Sequence, residues 1–306
     1  MSKSTISTFQ LFELVPDAET ARLWFESRLW PNGPRCPVCG LGERITTRKG
    51  GFYRCNQCQE DFTVRTGTVM ERSHIPLHKW VYAMYLVVTA RKGISSMQLA
   101  KEIGITQKSA WFMLGRLREA CGKDFGKLSG IVEIDEAYIG GLSKNMHKSA
   151  RQRQNMKPGP ANKTVVLGMR ERAGRTKAQV VSGSDGATLF PTIYKAVEAG
   201  STIHTDEWGG YRGLGWSFKH ETVNHKQGEY VRDGVTTNSV EAVWAVLQRG
   251  IYGTYHHVSE KHLDRYLNEF TFRLNEGNVE RHTLQRLDSF ADGVAGKRLT
   301  YKALIH

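Results

Sequence analysis

The chain has 306 residues, is 40% apolar with 7 Trp, and carries a formal net charge of +13 with a pI near 9.6. That length holds two or three domains with at least one sizeable core, and that composition excludes a disordered chain. So large a cationic surplus favours a polyanionic partner, nucleic acid first, because neutralising phosphates releases counterions. No basic amphipathic anchor stands out to argue for a membrane surface instead.

The longest apolar run, Trp80 to Val88, is too short to span a bilayer, and Met1-Ser2-Lys3-Ser4-Thr5 lacks the apolar core of a signal peptide. We therefore expect a cytoplasmic protein, nucleoid-associated when bound to DNA, whose thiols stay reduced.

Residues from about Thr8 to Trp30 read as two amphipathic helical pieces broken near Pro16. Cys36-Pro37-Val38-Cys39-Gly40 and Tyr53-Arg54-Cys55-Asn56-Gln57-Cys58 follow, two CxxC pairs with 15 residues between them. That is the spacing of a zinc ribbon, with Cys36, Cys39, Cys55 and Cys58 as ligands and a hairpin turning through Lys49-Gly50-Gly51. Four thiolates leave no open position on the ion, so the zinc is expected to be structural. Disulfides are the alternative that a reducing compartment disfavours.

From Pro76 the pattern turns helical. Leu77 to Ala90 is one apolar helix, and Ser95 caps a second that Gly104 stops. Thr106 then caps a third. This is a helix-turn-helix signature in which Thr106, Gln107, Lys108 and Ser109 open the exposed helix and would meet base edges or phosphates. An ordinary helical hairpin inside a core has the same pattern.

Gly130 to Gly141 is an apolar strand interrupted by acids, Ile131-Val132-Glu133-Ile134-Asp135-Glu136-Ala137-Tyr138-Ile139. A carboxylate buried in such a run is costly unless a cation compensates it, so Asp135 is a candidate metal ligand, with strand capping or an ion pair to Arg or Lys as the alternative. Ser143 to Lys163 contains Lys144, Lys148, Arg151 and Arg153 and no acidic residue, and reads as a basic loop for DNA or as an ordinary solvated charge run. Further strands are expected at Thr164 to Met169, Ala178 to Ser182, Thr202 to Thr205 and Phe218 to Val223, with a helix from Thr188 to Ala199. This is an α/β layer. Asp206 ends one of these strands, and Glu241 lies on a helix from about Thr237 to Arg249 whose apolar face is Val240, Val243, Trp244 and Leu247. His262 to Leu274 is one more amphipathic helix.

Three carboxylates on separate elements of a basic α/β protein point to phosphodiester chemistry. Two Mg²⁺ or Mn²⁺ ions, which take oxygen ligands, activate an attacking oxygen and stabilise the leaving one. Asp135 would bridge both ions, with Asp206 and Glu241 each completing one.

At these residues the chain resembles a bacterial insertion-sequence transposase of the DDE type with an N-terminal zinc ribbon. The resemblance is carried by Cys36-Pro37-Val38-Cys39-Gly40, Tyr53-Arg54-Cys55, Ile134-Asp135-Glu136-Ala137-Tyr138-Ile139-Gly140-Gly141, Thr205-Asp206-Glu207-Trp208, Asn238-Ser239-Val240-Glu241 and Arg249-Gly250-Ile251-Tyr252-Gly253. Positions 135, 206 and 241 leave 70 and 34 residues between them, and the second gap is similar to the family's acid spacing. The resemblance implies an RNase H-like mixed sheet flanked by helices, hydrolysis at transposon ends to free a 3′-OH, and attack of that hydroxyl on target DNA. It also implies double-stranded DNA as partner and a homodimer or larger assembly on paired ends.

Two departures stand out. Relatives often carry Lys two turns after the last acid, where this chain has Gln248 beside Arg249, and some use Asn as third ligand, which makes Asn238 a rival to Glu241. The expected domains are 1–75 (helices and ribbon), 76–125 (helix-turn-helix), 126–280 (catalytic) and 281–306 (tail). A DNA-binding regulator without catalysis, or a nuclease that cuts without joining, remain the alternative functions.

Overall fold

The computed structural model describes residues 5–124, 126–140, 163–172 and 174–305. The chain divides into two compact units, residues 1–123 with 276–306 and residues 124–275.

In the first unit, α1 (Thr8–Leu14) opens on a capping box: Gln10 N–H donates to Ser7 Oγ at 3.2 Å and Ser7 N–H donates back to Gln10 Oε1 at 2.8 Å. Asp17 caps α2 (Ala18–Leu29), so the chain restarts its helix two residues past Pro16. Strands β1 (Ile45–Arg48), β2 (Phe52–Cys55) and β3 (Asp61–Phe62) form an antiparallel sheet in that order. The β1–β2 turn holds Gly50 at φ 72° and Gly51 at φ 75°, a region that favours glycine. A β-carbon on Gly51 would lie 2.3 Å from Arg22 Cδ, so glycine also lets α2 approach the turn. Trp30, Tyr53 and Phe62 pack edge-on and stacked behind the sheet.

Then come α3 (Leu77–Thr89), buried along most of its length, α4 (Ser96–Ile103) and α5 (Gln107–Cys121). Ser95 and Thr106 accept from the Gln98 and Ser109 N–H groups as N-caps, and Gly104 at φ 63° ends α4 left-handed.

The second unit is a mixed sheet of β4 (Ile131–Ile139), β5 (Thr164–Glu171), β6 (Thr176–Val181), β7 (Thr202–Asp206) and β8 (Lys219–Val223). Its order is β6-β5-β4-β7-β8, with β6–β5 and β5–β4 antiparallel and β4–β7 and β7–β8 parallel. Three helices flank it: α6 (Gly186–Ala196), α7 (Asn238–Gly250) and α8 (Glu260–Asn275). Because side chains alternate along a strand, β4 feeds two cores. Val132 and Ile134 join Leu189, Ile193 and Ile203 under α6, whereas Ala137 and Ile139 join Val240, Val243, Trp244 and Leu267 under α7 and α8.

The chain then returns to the first unit with α9 (Thr283–Ala291) and α10 (Tyr301–Ile305). Arg286, 1% exposed, donates to the Val88 carbonyl at 2.7 Å. Lys297 Nζ donates to the Glu119 and Gly122 carbonyls at 2.8 and 2.6 Å, serving acceptors that the end of α5 leaves open. The stretch expected as a tail is thus folded into this unit. Among the described residues no helix is long and apolar enough to cross a membrane.

Candidate active site and metal centre

The ribbon's two knuckles bring four thiols together. Cys36, Cys39, Cys55 and Cys58 place their sulfurs within 4.8 Å of one another, with Cys36 and Cys58 3.5 Å apart and Cys39 and Cys55 3.6 Å apart. All are free thiols. Tight backbone bonds, Gly40 N–H to the Cys36 carbonyl and Cys55 N–H to the Glu60 carbonyl, each 2.9 Å, form the turns. In the second knuckle, the Cys58 and Gln57 backbone N–H groups pull the Cys55 thiol down to about 6, toward the thiolate that binds metal, whereas burial pushes the Cys58 thiol up to about 12. The donor set fits structural zinc: four sulfurs, closed to any further ligand.

The acidic residues converge from three elements. The parallel β4–β7 register pairs Glu133 with His204, and two residues further on Asp135 and Asp206 emerge on the same face. Helix α7 packs on that face and carries Glu241 in its first turn, 39% exposed. Trp244, one turn later, donates its indole N–H to Asp135 Oδ2 at 2.8 Å. Burial pushes the Asp135 carboxyl up to about 6, the charges of Asp206 and Glu241 push the same way, and the Trp244 donor pulls against them. Asp206 Oδ1 accepts from Trp208 N–H at 2.9 Å, and Glu241 Oε1 accepts from the Thr237 hydroxyl at 2.9 Å.

The three carboxylates share a face but do not close up as the thiols do: among the described residues, only the cysteines gather three or more ligand atoms within 4.8 Å. Glu136 lies on the opposite side of β4, where Tyr211 donates to it, and burial raises its carboxyl to about 7.

Residues 127–275 match the family model of an ISXO2-like transposase domain, and residues 16–61 match that of a transposase zinc-ribbon domain. The chain thus carries an ISXO2-like transposase domain behind a transposase zinc-ribbon domain. An uncharacterized protein in the transposable element ISH50 of Halobacterium salinarum is 29% identical over 273 residues, covering 85% of this chain and 91% of that protein.

The other expected site residues are distributed as follows. Asn238 opens α7 at an exposed position, one turn before Glu241. Arg249 is exposed in the last turn of the same helix. At the start of α5, Thr106 and Ser109 bond each other at 2.9 Å, Gln107 reaches the Ser96 hydroxyl at 2.9 Å, and Lys108 lies 4.8 Å over the Tyr301 ring. Lys144, Lys148, Arg151 and Arg153 lie outside the described residues.

Three residues of the site escaped the sequence. Trp244 read as one more apolar position of α7, yet its indole touches Asp135. Gly168 sits directly across from Asp135 on β5, and a β-carbon there would lie 2.5 Å from the Trp244 ring. Only glycine lets the indole cross the sheet at that point. Glu133 shares the face of Asp135 and is 1% exposed. A second acid two residues before a candidate ligand, on the same face of a period-2 strand, was the available signal.

Proposed function

We propose that this chain frees 3′-hydroxyl ends at the borders of a mobile element and joins them to target DNA, with Asp135, Asp206 and Glu241 holding two Mg²⁺ or Mn²⁺ ions. What supports it most directly is the convergence of three carboxylates on one sheet face. There Asp135 is largely buried, repelled by the other two, and, among the described residues, paired with no lysine or arginine. Holding these carboxylates ionised together is costly unless positive charge compensates them.

The donors are all oxygens, which suits hard divalent ions; the thiols belong to the ribbon. Bound there, the ions supply Lewis-acid activation of the attacking oxygen and charge stabilisation of the leaving one. The residues of the chain do the positioning. Trp244 fixes the Asp135 carboxylate, Trp208 N–H fixes Asp206, and Thr237 holds Glu241. Glu241 is preferred to Asn238 as third ligand because its charge acts on Asp135 and its side chain is half-buried, whereas Asn238 faces solvent.

The mixed sheet with helices on both faces supports an RNase H-like domain. The α4–α5 pair with its exposed Thr106, Gln107 and Lys108 supports a helix-turn-helix that holds DNA ends, aided by Arg249 on α7 and by Lys144, Lys148, Arg151 and Arg153. A homodimer or larger assembly would bring two ends together.

The test is a joining assay with cognate ends in Mg²⁺ or Mn²⁺. Asp135→Asn, Asp206→Asn and Glu241→Gln each abolish cleavage and joining while end binding, read by gel shift, is kept. Asp135→Asn melts no lower than the parent in metal-free buffer, because it removes a buried charge and keeps an acceptor for Trp244. Full activity in any one variant removes that residue from the metal site. Cleavage without joining would make the chain a nuclease, and binding without cleavage a regulator.

A further inference from the structure

Glu133 is a carboxylate the chemistry does not use, buried to 1% exposure on the face of β4 that carries Asp135. Burying such a charge is costly unless it is compensated, and here the compensation comes from the start of α7. Glu133 Oε2 accepts from the Ser239 N–H at 2.8 Å, the Ser239 hydroxyl at 2.6 Å and the Val240 N–H at 3.3 Å. Its Oε1 takes Arg172 Nη2 at 3.3 Å, and Arg172 Nη1 donates to the Gly234 carbonyl at 2.8 Å, on the segment leading into α7.

The first N–H groups of a helix lack internal partners and mark its positive end. They are commonly served by a side chain at the N-cap itself. Thr237, at that position, makes no capping bond. The cap is instead a residue 106 positions away in the chain, on the strand that carries the first candidate ligand.

The spacing matters. Asp135 is two residues beyond Glu133, and Glu241 is two residues beyond Ser239. A bond from 133 to 239 therefore fixes where α7 starts along β4 and how it is rolled. The Trp244–Asp135 bond ties the same two elements beyond Glu241.

We propose that Glu133 is a positioning residue: by capping α7 from β4 through Ser239, it sets the separation at which Asp135 and Glu241 hold cations. The proposal rests on the metal-site reading above. Mere stabilisation of the helix would leave cation affinity alone, and this distinction makes it testable.

Mn²⁺ binding to the full-length protein, free and with its end DNA, is read from the electron paramagnetic resonance signal of unbound Mn²⁺, alongside melting and cleavage. Wild type against Asp135→Asn tests the metal-site reading: no Mn²⁺ bound in the wild type sinks that reading and the positioning role with it. Given binding that Asp135→Asn abolishes, Glu133→Gln is expected to weaken Mn²⁺ affinity by about tenfold or more, the usual effect of disturbing a residue behind the ligands. Its cleavage should recover as Mn²⁺ is raised. A folded Glu133→Gln with wild-type Mn²⁺ affinity overturns the proposal.

Should Glu133→Gln fail to fold, Ser239→Ala decides. It removes only the hydroxyl donor, and is expected to weaken Mn²⁺ binding less than tenfold, with Ser239→Thr restoring it. Wild-type affinity in a folded Ser239→Ala protein then overturns the proposal.

Discussion

The cysteine cluster and the acidic face are built by opposite means. Cys36, Cys39, Cys55 and Cys58 come from two turns of one small sheet, and local backbone bonds are enough to gather their sulfurs within 4.8 Å. Asp135, Asp206 and Glu241 come from two strands and a helix, and what aligns them is tertiary: the β4–β7 register, Glu133 on Ser239, and Trp244 on Asp135. A site of the first kind stands or falls with any single ligand. A site of the second kind depends as much on residues beyond its three carboxylates, and is expected to fail by degrees when they change.

The largest expected effect breaks the local site. Cys55→Ser leaves three thiols for zinc, and the ribbon should lose both metal and fold. Structural zinc supplies apparent free energies of about 10–16 kcal/mol in zinc-finger peptides at neutral pH, more than a small sheet gains by packing alone. Atomic absorption should find no zinc, and limited proteolysis should open the segment around β1 to β3. Retained zinc would show that the remaining three thiols suffice.

The next two act on the supports of the acidic face. Gly168→Ala places a β-carbon 2.5 Å from the Trp244 ring. Overpacking of this kind costs about 1–3 kcal/mol, which for a unit of this size lowers the melting temperature by about 2–4 °C per kcal/mol. The indole must also move off Asp135, so DNA cleavage should fall together with stability. Wild-type melting and cleavage would mean that the helix absorbs the extra methyl without shifting.

Trp244→Phe is gentler, because it keeps most of the ring and removes only the donor to Asp135 Oδ2. Hydrogen bonds to charged groups contribute about 1.5–3 kcal/mol. Part of that is not lost here, since Asp135 regains water or a cation. Cleavage at limiting Mn²⁺ should drop and recover at high Mn²⁺. An unchanged Mn²⁺ dependence would assign Trp244 to packing alone.

The same contrast explains what could be read before the fold was known. The CxxC pairs were legible because their geometry is carried by spacing within one short segment. Helices such as Leu77–Thr89 and strands such as Ile131–Ile139 were legible within a residue or two, because burial repeats with the period of the element. Asp135 stood out as a charge in an apolar strand. Its supports did not: the partner of Glu133 is 106 residues away, and Trp244 fits an apolar helix face without appeal to its N–H. The residues at 281–306 looked like a tail because α9 and α10 are short and rely on distant bonds, Arg286 to Val88 and Lys297 to the end of α5.

The smallest expected effect separates the two regions by acid. His220, half-buried on β8, sits with its Nε2 2.9 Å from the Thr205 hydroxyl. Burial holds its ring below the ordinary value of 6.5, and neighbouring His204 pushes the same way. As pH falls below 6.5, the unfolded chain takes up a proton that folded His220 still refuses. The stability this group contributes at neutral pH is therefore lost as pH falls from 6.5 toward its lower folded value. His220→Gln should flatten the fall of melting temperature between about pH 7 and 5.5, in the unit that holds the acidic face. The ribbon answers the same acid differently, since its thiolates take up protons and release zinc. Zinc release followed by a chromogenic chelator should be identical in His220→Gln and the parent. A substitution that left the melting slope unchanged would move the acid sensitivity of the sheet to other groups, His204 first among them.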